Sequence, residues 1–113
     1  MKEMFNSSVR SCGDLAGFFE FDGDTSYFYL YRVNADEGEK VVDAIKVGVG
    51  VPFFSEEEIE VFWSSDESLV CLQITGKLVA VFDCIEGKKY GEIFSLGSEV
   101  KLPPALVQRL RGH

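Results

Sequence analysis

Leu15-Ala16-Gly17-Phe18-Phe19-Glu20-Phe21-Asp22-Gly23-Asp24-Thr25-Ser26-Tyr27-Phe28-Tyr29-Leu30-Tyr31-Arg32-Val33 is the stretch on which the fold of this chain turns. Two aromatic runs, Leu15 to Phe21 and Ser26 to Val33, flank Asp22-Gly23-Asp24-Thr25, and turn formers between strand formers read as a hairpin. With those four residues as the loop, Phe19 faces Phe28 and Phe21 faces Ser26. Strand alternation then sets Phe19, Phe21, Phe28 and Leu30 on one face, and Tyr27, Tyr29 and Tyr31 with Phe18 and Glu20 on the other.

The remaining sequence continues in short β-like pieces. Residues 34–40, NADEGEK, form a polar connection. KVVDAIKV, Lys40 to Val47, fits a helical stripe as well as a strand, and its valines and the following Gly48 and Gly50 favour the strand. Ser55-Glu56-Glu57-Glu58 has the letters of a capping box. Ile59, Val61 and Trp63 nevertheless alternate with Glu58, Glu60 and Phe62, which predicts a strand ending at the turn Ser64-Ser65-Asp66-Glu67.

Leu69 to Ile74 and Leu78 to Cys84 flank Thr75-Gly76-Lys77 and predict a second hairpin, in which Leu72 faces Val79, Val70 faces Val81, and Cys71 faces Ala80 on the opposite side. Glu86-Gly87-Lys88-Lys89 reads as a turn and Tyr90 to Phe94 as a last short strand. Pro103 and Pro104 open a C-terminal helix that turns Ala105, Leu106, Val107 and Leu110 to the sheet, leaves Gln108, Arg109 and Arg111 wet, and closes at Gly112.

These elements add up to a single α+β, mainly β domain over residues 1–113: a curved antiparallel meander of about six to seven strands, a partly open barrel or sandwich, with a short C-terminal helix. The expected core takes Phe19, Phe21, Phe28 and Leu30 from the first hairpin and Ile45 and Trp63 from the single strands. Leu72, Val79, Val81 and Phe82 complete it from the second hairpin.

Composition narrows the function classes. Hydrophobic residues make up 46% of the chain, enough to argue against disorder. A net charge of -8 repels a phosphate backbone, so nucleic acid is not an expected partner. The first twenty residues are broken by Arg10, Gly13 and Asp14, and no apolar run reaches the roughly 20 residues that span a bilayer. The expectation is a cytoplasmic protein with no membrane partner. Cys12, Cys71 and Cys84 form neither an even set nor a C-x-x-C pair and read as reduced thiols, with Cys12 the most accessible.

Several stretches carry a resemblance. Asp22-Gly23-Asp24-Thr25-Ser26-Tyr27-Phe28-Tyr29, the V-x-D-A-I run at Val41 to Ile45, Trp63-Ser64-Ser65-Asp66, and Thr75-Gly76 followed by Ala80-Val81-Phe82-Asp83 stand in this order. In this the chain resembles the uncharacterised bacterial family catalogued as domain of unknown function 2251. The resemblance implies a β-rich domain and supplies no activity. Thr75 stands where the family has Asn, and Lys77-Leu78-Val79 where it has tyrosine, proline and histidine, so a histidine-based site would be lost here. The Trp63 to Asp83 region is also similar to one propeller blade, but propellers need about four to eight blades and no second copy follows.

Residue types for chemistry are sparse. The one histidine, His113, is the last residue, native or tag-derived, and leaves Ser64 and Ser65 without a base. Asp22, Asp24 and Glu20 gather near one turn without the 12-residue calcium-loop pattern. Glu56, Glu57, Glu58 and Glu60 read as a solvated face or as gatekeepers at a sheet edge. Gly48-Val49-Gly50 lacks the third glycine of a phosphate loop. No catalytic, metal or cofactor residue is therefore predicted.

The expected class is a small non-catalytic binding or interaction protein of bacterial accessory type, such as a mobile-cassette product. Its candidate surface is Phe18, Tyr27, Tyr29 and Tyr31 with Glu56, Glu57 and Glu58, since tyrosine is enriched at interfaces. The stripe is either covered by the C-terminal helix or a second layer, or exposed for recognition, for which a homodimer is the commonest use. The alternatives are an immunity-type inhibitor of a basic toxin and an enzyme without a signature, built on Asp22, Asp24 or the Glu56 to Glu60 carboxylates.

Overall fold

The aromatic hairpin forms in the register its alternation dictates. In the computed structural model, which describes residues 3–93 and 98–111, β2 (Leu15–Phe21) pairs with β3 (Thr25–Arg32), Phe19 facing Phe28 and Phe21 facing Ser26. A strand before the hairpin, β1 (Met4–Val9), pairs with β2, and β4 (Val41–Val49) pairs with β3, so the valine-rich segment is a strand as expected. The second half repeats the plan with β5 (Ile59–Trp63), β6 (Leu69–Ile74), β7 (Lys77–Asp83) and β8 (Lys88–Gly91). Each half is a four-stranded antiparallel sheet in sequence order.

The sheets stack face to face with β1 against β5, β2 against β5 and β6, and β4 against β7 and β8. This is the sandwich among the expected architectures. Phe19, Phe21 and Phe28 from the first sheet meet Val70, Leu72 and Phe82 from the second with almost no exposure. Gly17 allows the close approach: a Cβ there would sit 2.5 Å from a methyl of Val70. The short helix α1 (Pro104–Arg111) lies on the outer face of the second sheet, where Leu106 packs with Leu69, Cys71 and Val81. The second sheet is thus buried on both faces, which is why β6 is apolar almost throughout.

The structure corrects several details. In the second hairpin the register slips between Leu72 and Gln73, so Leu72 faces Ala80, Val70 faces Phe82 and Cys71 faces Val81. Val79 is the extra residue of this bulge, and one inserted residue exchanges the faces beyond it. Ala80 and Phe82 therefore point between the sheets, while Val81 is buried under α1.

Trp63 is only half-buried, because its indole N–H needs an acceptor and finds the Ser8 carbonyl at 2.9 Å along the sandwich edge. Glu56–Glu58 form a 3-10 turn before β5, with the Glu58 carboxylate accepting from the Ser55 N–H at 2.8 Å; Glu58 belongs to the turn, and the strand starts at Ile59.

Lys88 and Lys89 belong to β8, the turn lying earlier at Cys84 to Gly87; Phe94 is outside the described residues. On α1, Ala105 is exposed, and Arg109 is held by ion pairing instead of lying free in water. Gly112 and His113 lie outside the described residues. No helix among the described residues is long and apolar enough to cross a membrane.

Candidate functional site

Of the carboxylates singled out by sequence, Asp22, Glu56, Glu57 and Glu58 are engaged in local structure. Asp22 accepts from the N–H groups of Asp24 and Thr25 at 2.9 and 2.8 Å, which closes the hairpin turn and holds its carboxyl below the ordinary value. Asp24 is exposed on the same turn. Glu57 and Glu58 accept from the Ser55 hydroxyl, and Glu56 accepts from the Phe5 N–H at 3.0 Å, covering a backbone donor on the edge of β1. The acidic turn therefore adjoins the first sheet at its β1 edge.

The W-S-x-D stretch and the aspartate ending β7 meet in a second polar cluster. Asp66 accepts from the Ser64 and Ser68 hydroxyls at 2.7 and 2.8 Å, and the Ser68 hydroxyl accepts from Arg109 at 2.7 Å. Arg109 grips both oxygens of Asp83, at 2.9 and 3.2 Å, while Asp83 also accepts from the N–H groups of Ile85 and Glu86. Burial alone would raise the Asp83 carboxyl, and these donors outweigh it, leaving the group below its ordinary value. The cluster fastens α1 to the second sheet. Sequence reasoning missed Arg109; the one available signal was an aspartate closing an otherwise apolar strand.

The tyrosines form a ladder on the outer face of the first sheet. Tyr27 and Tyr29 stack at 5.5 Å between ring centroids, Tyr29 and Tyr31 at 5.8 Å, and Phe18 and Tyr31 at 5.2 Å. Phe5, which sequence reasoning left out because β1 was not recognised, extends the row against Phe18 at 6.0 Å. Burial, then Glu20 and Tyr31, push the Tyr29 phenol up. Across the strands the register gives three rows: Phe5, Glu20, Tyr27 and Lys46; Ser7, Phe18, Tyr29 and Ala44; Val9, Ala16, Tyr31 and Val41. The helix lies on the opposite side of the sandwich, so it does not cover this face.

The edges of the sheet are guarded. Asp43 accepts from the Ala44 N–H at 2.8 Å, and Lys89 of β8 donates to the Ala44 carbonyl at 3.1 Å and to Asp43 at 2.8 Å. Polar caps of this kind oppose edge-to-edge pairing. A cleft of about 210 Å³ opens nearby at the end of the sandwich, where Leu15, Leu30 and Phe82 form apolar walls and Asp43 and Asp83 are the acids, each already ion-paired. All three cysteines are free: Cys12 is exposed, Cys84 half-buried and Cys71 buried, its thiol pushed up to about 12 by burial. No three His, Cys, Asp or Glu side chains among the described residues gather as metal ligands.

Fold and surface together define a mainly β sandwich of two antiparallel meanders, one capped by a helix and the other presenting an aromatic face. The chain belongs to the family described as uncharacterized protein conserved in bacteria (DUF2251), whose model matches residues 2–93. That span takes in both sheets and ends before α1. Neither the curated proteins nor the solved structures yielded a match.

Proposed function

We propose that this chain is a non-catalytic interaction protein of the bacterial cytoplasm whose working surface is the outer face of the first sheet, occupied by a second copy of the chain. One observation carries the reading: α1 packs on the second sheet, while the Tyr27, Tyr29, Tyr31 and Phe18 ladder on the first stays partly exposed, each ring only half-buried. Stacked tyrosines offer apolar area with little side-chain entropy to lose, and their hydroxyls tolerate water when the face is free. Guarded edges direct association to the face. Three free thiols suit a reducing compartment. Of the acids named by the enzyme and immunity readings, Asp22, Glu56, Glu57 and Glu58 already accept hydrogen bonds in turns and caps.

Sedimentation of the wild type against Tyr29→Glu tests the proposal. The expected result is a monomer–dimer equilibrium at micromolar concentration for the wild type and a monomer for the variant, with the same circular dichroism spectrum. A wild type that stays monomeric up to roughly 100 μM overturns it.

A further inference from the structure

The arrangement of charge and bulk on the aromatic face carries a more specific statement, which rests on the reading just proposed. Glu20 and Lys46 lie on either side of Tyr27 in one row, and among the described residues neither has a hydrogen-bond or ion-pair partner. They are two strands apart, about 10 Å, with Tyr27 between them, and they do not pair with each other. In the next row Phe18 and Ala44 flank Tyr29 in the same way, a large side chain on β2 and a small one on β4.

A twofold axis running along β3 in the plane of contact exchanges the β2 side of one copy with the β4 side of the other. Under that operation Glu20 of each copy meets Lys46 of its partner, Phe18 lies over Ala44, and the three tyrosines lie along the axis. An axis across the strands through Tyr29 would set Glu20 over Ala16 and Lys46 over Val41, stranding both charges against apolar groups. An axis between β2 and β3 would leave Glu20 over Tyr27 and Lys46 over Phe5. We infer that the chain forms an isologous dimer about a twofold axis along β3, with two reciprocal Glu20–Lys46 ion pairs fixing its register.

The pairing makes a distinctive prediction for charge reversal. Glu20→Lys alone places two cations opposite each other at both contacts, and Lys46→Glu alone places two anions there. Each variant by itself is expected to weaken the dimer by at least about tenfold. Mixed one to one, the two variants restore both ion pairs and associate as a heterodimer, detectable by sedimentation or by native mass spectrometry. Both positions are on the solvent side of the sheet, and circular dichroism checks that the fold is kept. If either single variant dimerises as well as the wild type, or the mixture stays monomeric while the wild type dimerises, this arrangement is wrong and the aromatic face pairs in another way. If the wild type itself never dimerises, the underlying reading of the face falls too.

Discussion

Asp83 and Arg109 show how much one residue pair carries. The Asp83 side chain has no solvent exposure and depends on Arg109 and two backbone N–H groups, so removing the guanidinium strands a buried charge. Arg109→Ala is expected to cost about 3 kcal/mol in urea unfolding. Because the folded carboxyl titrates below its ordinary 3.8, its contribution is complete above that value and is lost as the pH falls through the folded value. Asp14, Asp22 and Asp43 are also held low and add to the acid sensitivity of the whole protein, so the comparison with Asp83→Asn isolates this group. The stability difference between wild type and Asp83→Asn should be largest at neutral pH and shrink below about pH 4. A difference independent of pH would remove the ion pair from the account.

At the scale of elements, the second hairpin turn is under strain that the sequence announces. Thr75 and Gly76 have φ of 50° and 80°, so both central positions are left-handed, a conformation that a β-branched residue resists. Thr75→Asn is expected to stabilise the protein by about 1 kcal/mol, seen as a melting temperature several degrees higher. An unchanged or lower value would mean that the hydrogen bond from the Thr75 hydroxyl to the Ile74 carbonyl matters more than the backbone.

Both hairpins were legible because turn residues and alternation agree. β1 was not, since the polar Asn6 and Ser8 take its inward positions and break the apolar alternation. The Asn6 amide donates to the Ile59 carbonyl, and the Ser8 carbonyl accepts from Trp63. The Val79 bulge was equally hidden, because Leu78, Val79, Val81 and Phe82 are all apolar and give no sign of which face each takes.

For the whole molecule the decisive feature is an asymmetry between two similar sheets. The tyrosine face was readable from the first hairpin, but whether the helix covers it was not, since periodicity says that a helix has an apolar face and not which sheet receives it. With α1 on the second sheet, the ladder and its Glu20–Lys46 row form the face we propose for a second copy. Hydroxyl-radical footprinting of the wild type at low and high protein concentration tests this most directly. The account predicts that Phe18, Tyr27, Tyr29 and Tyr31 lose reactivity as concentration rises while the exposed Val51 and Ile85, elsewhere on the surface, do not change. Protection that ignores concentration, or that appears on α1 and leaves the ladder reactive, would contradict it.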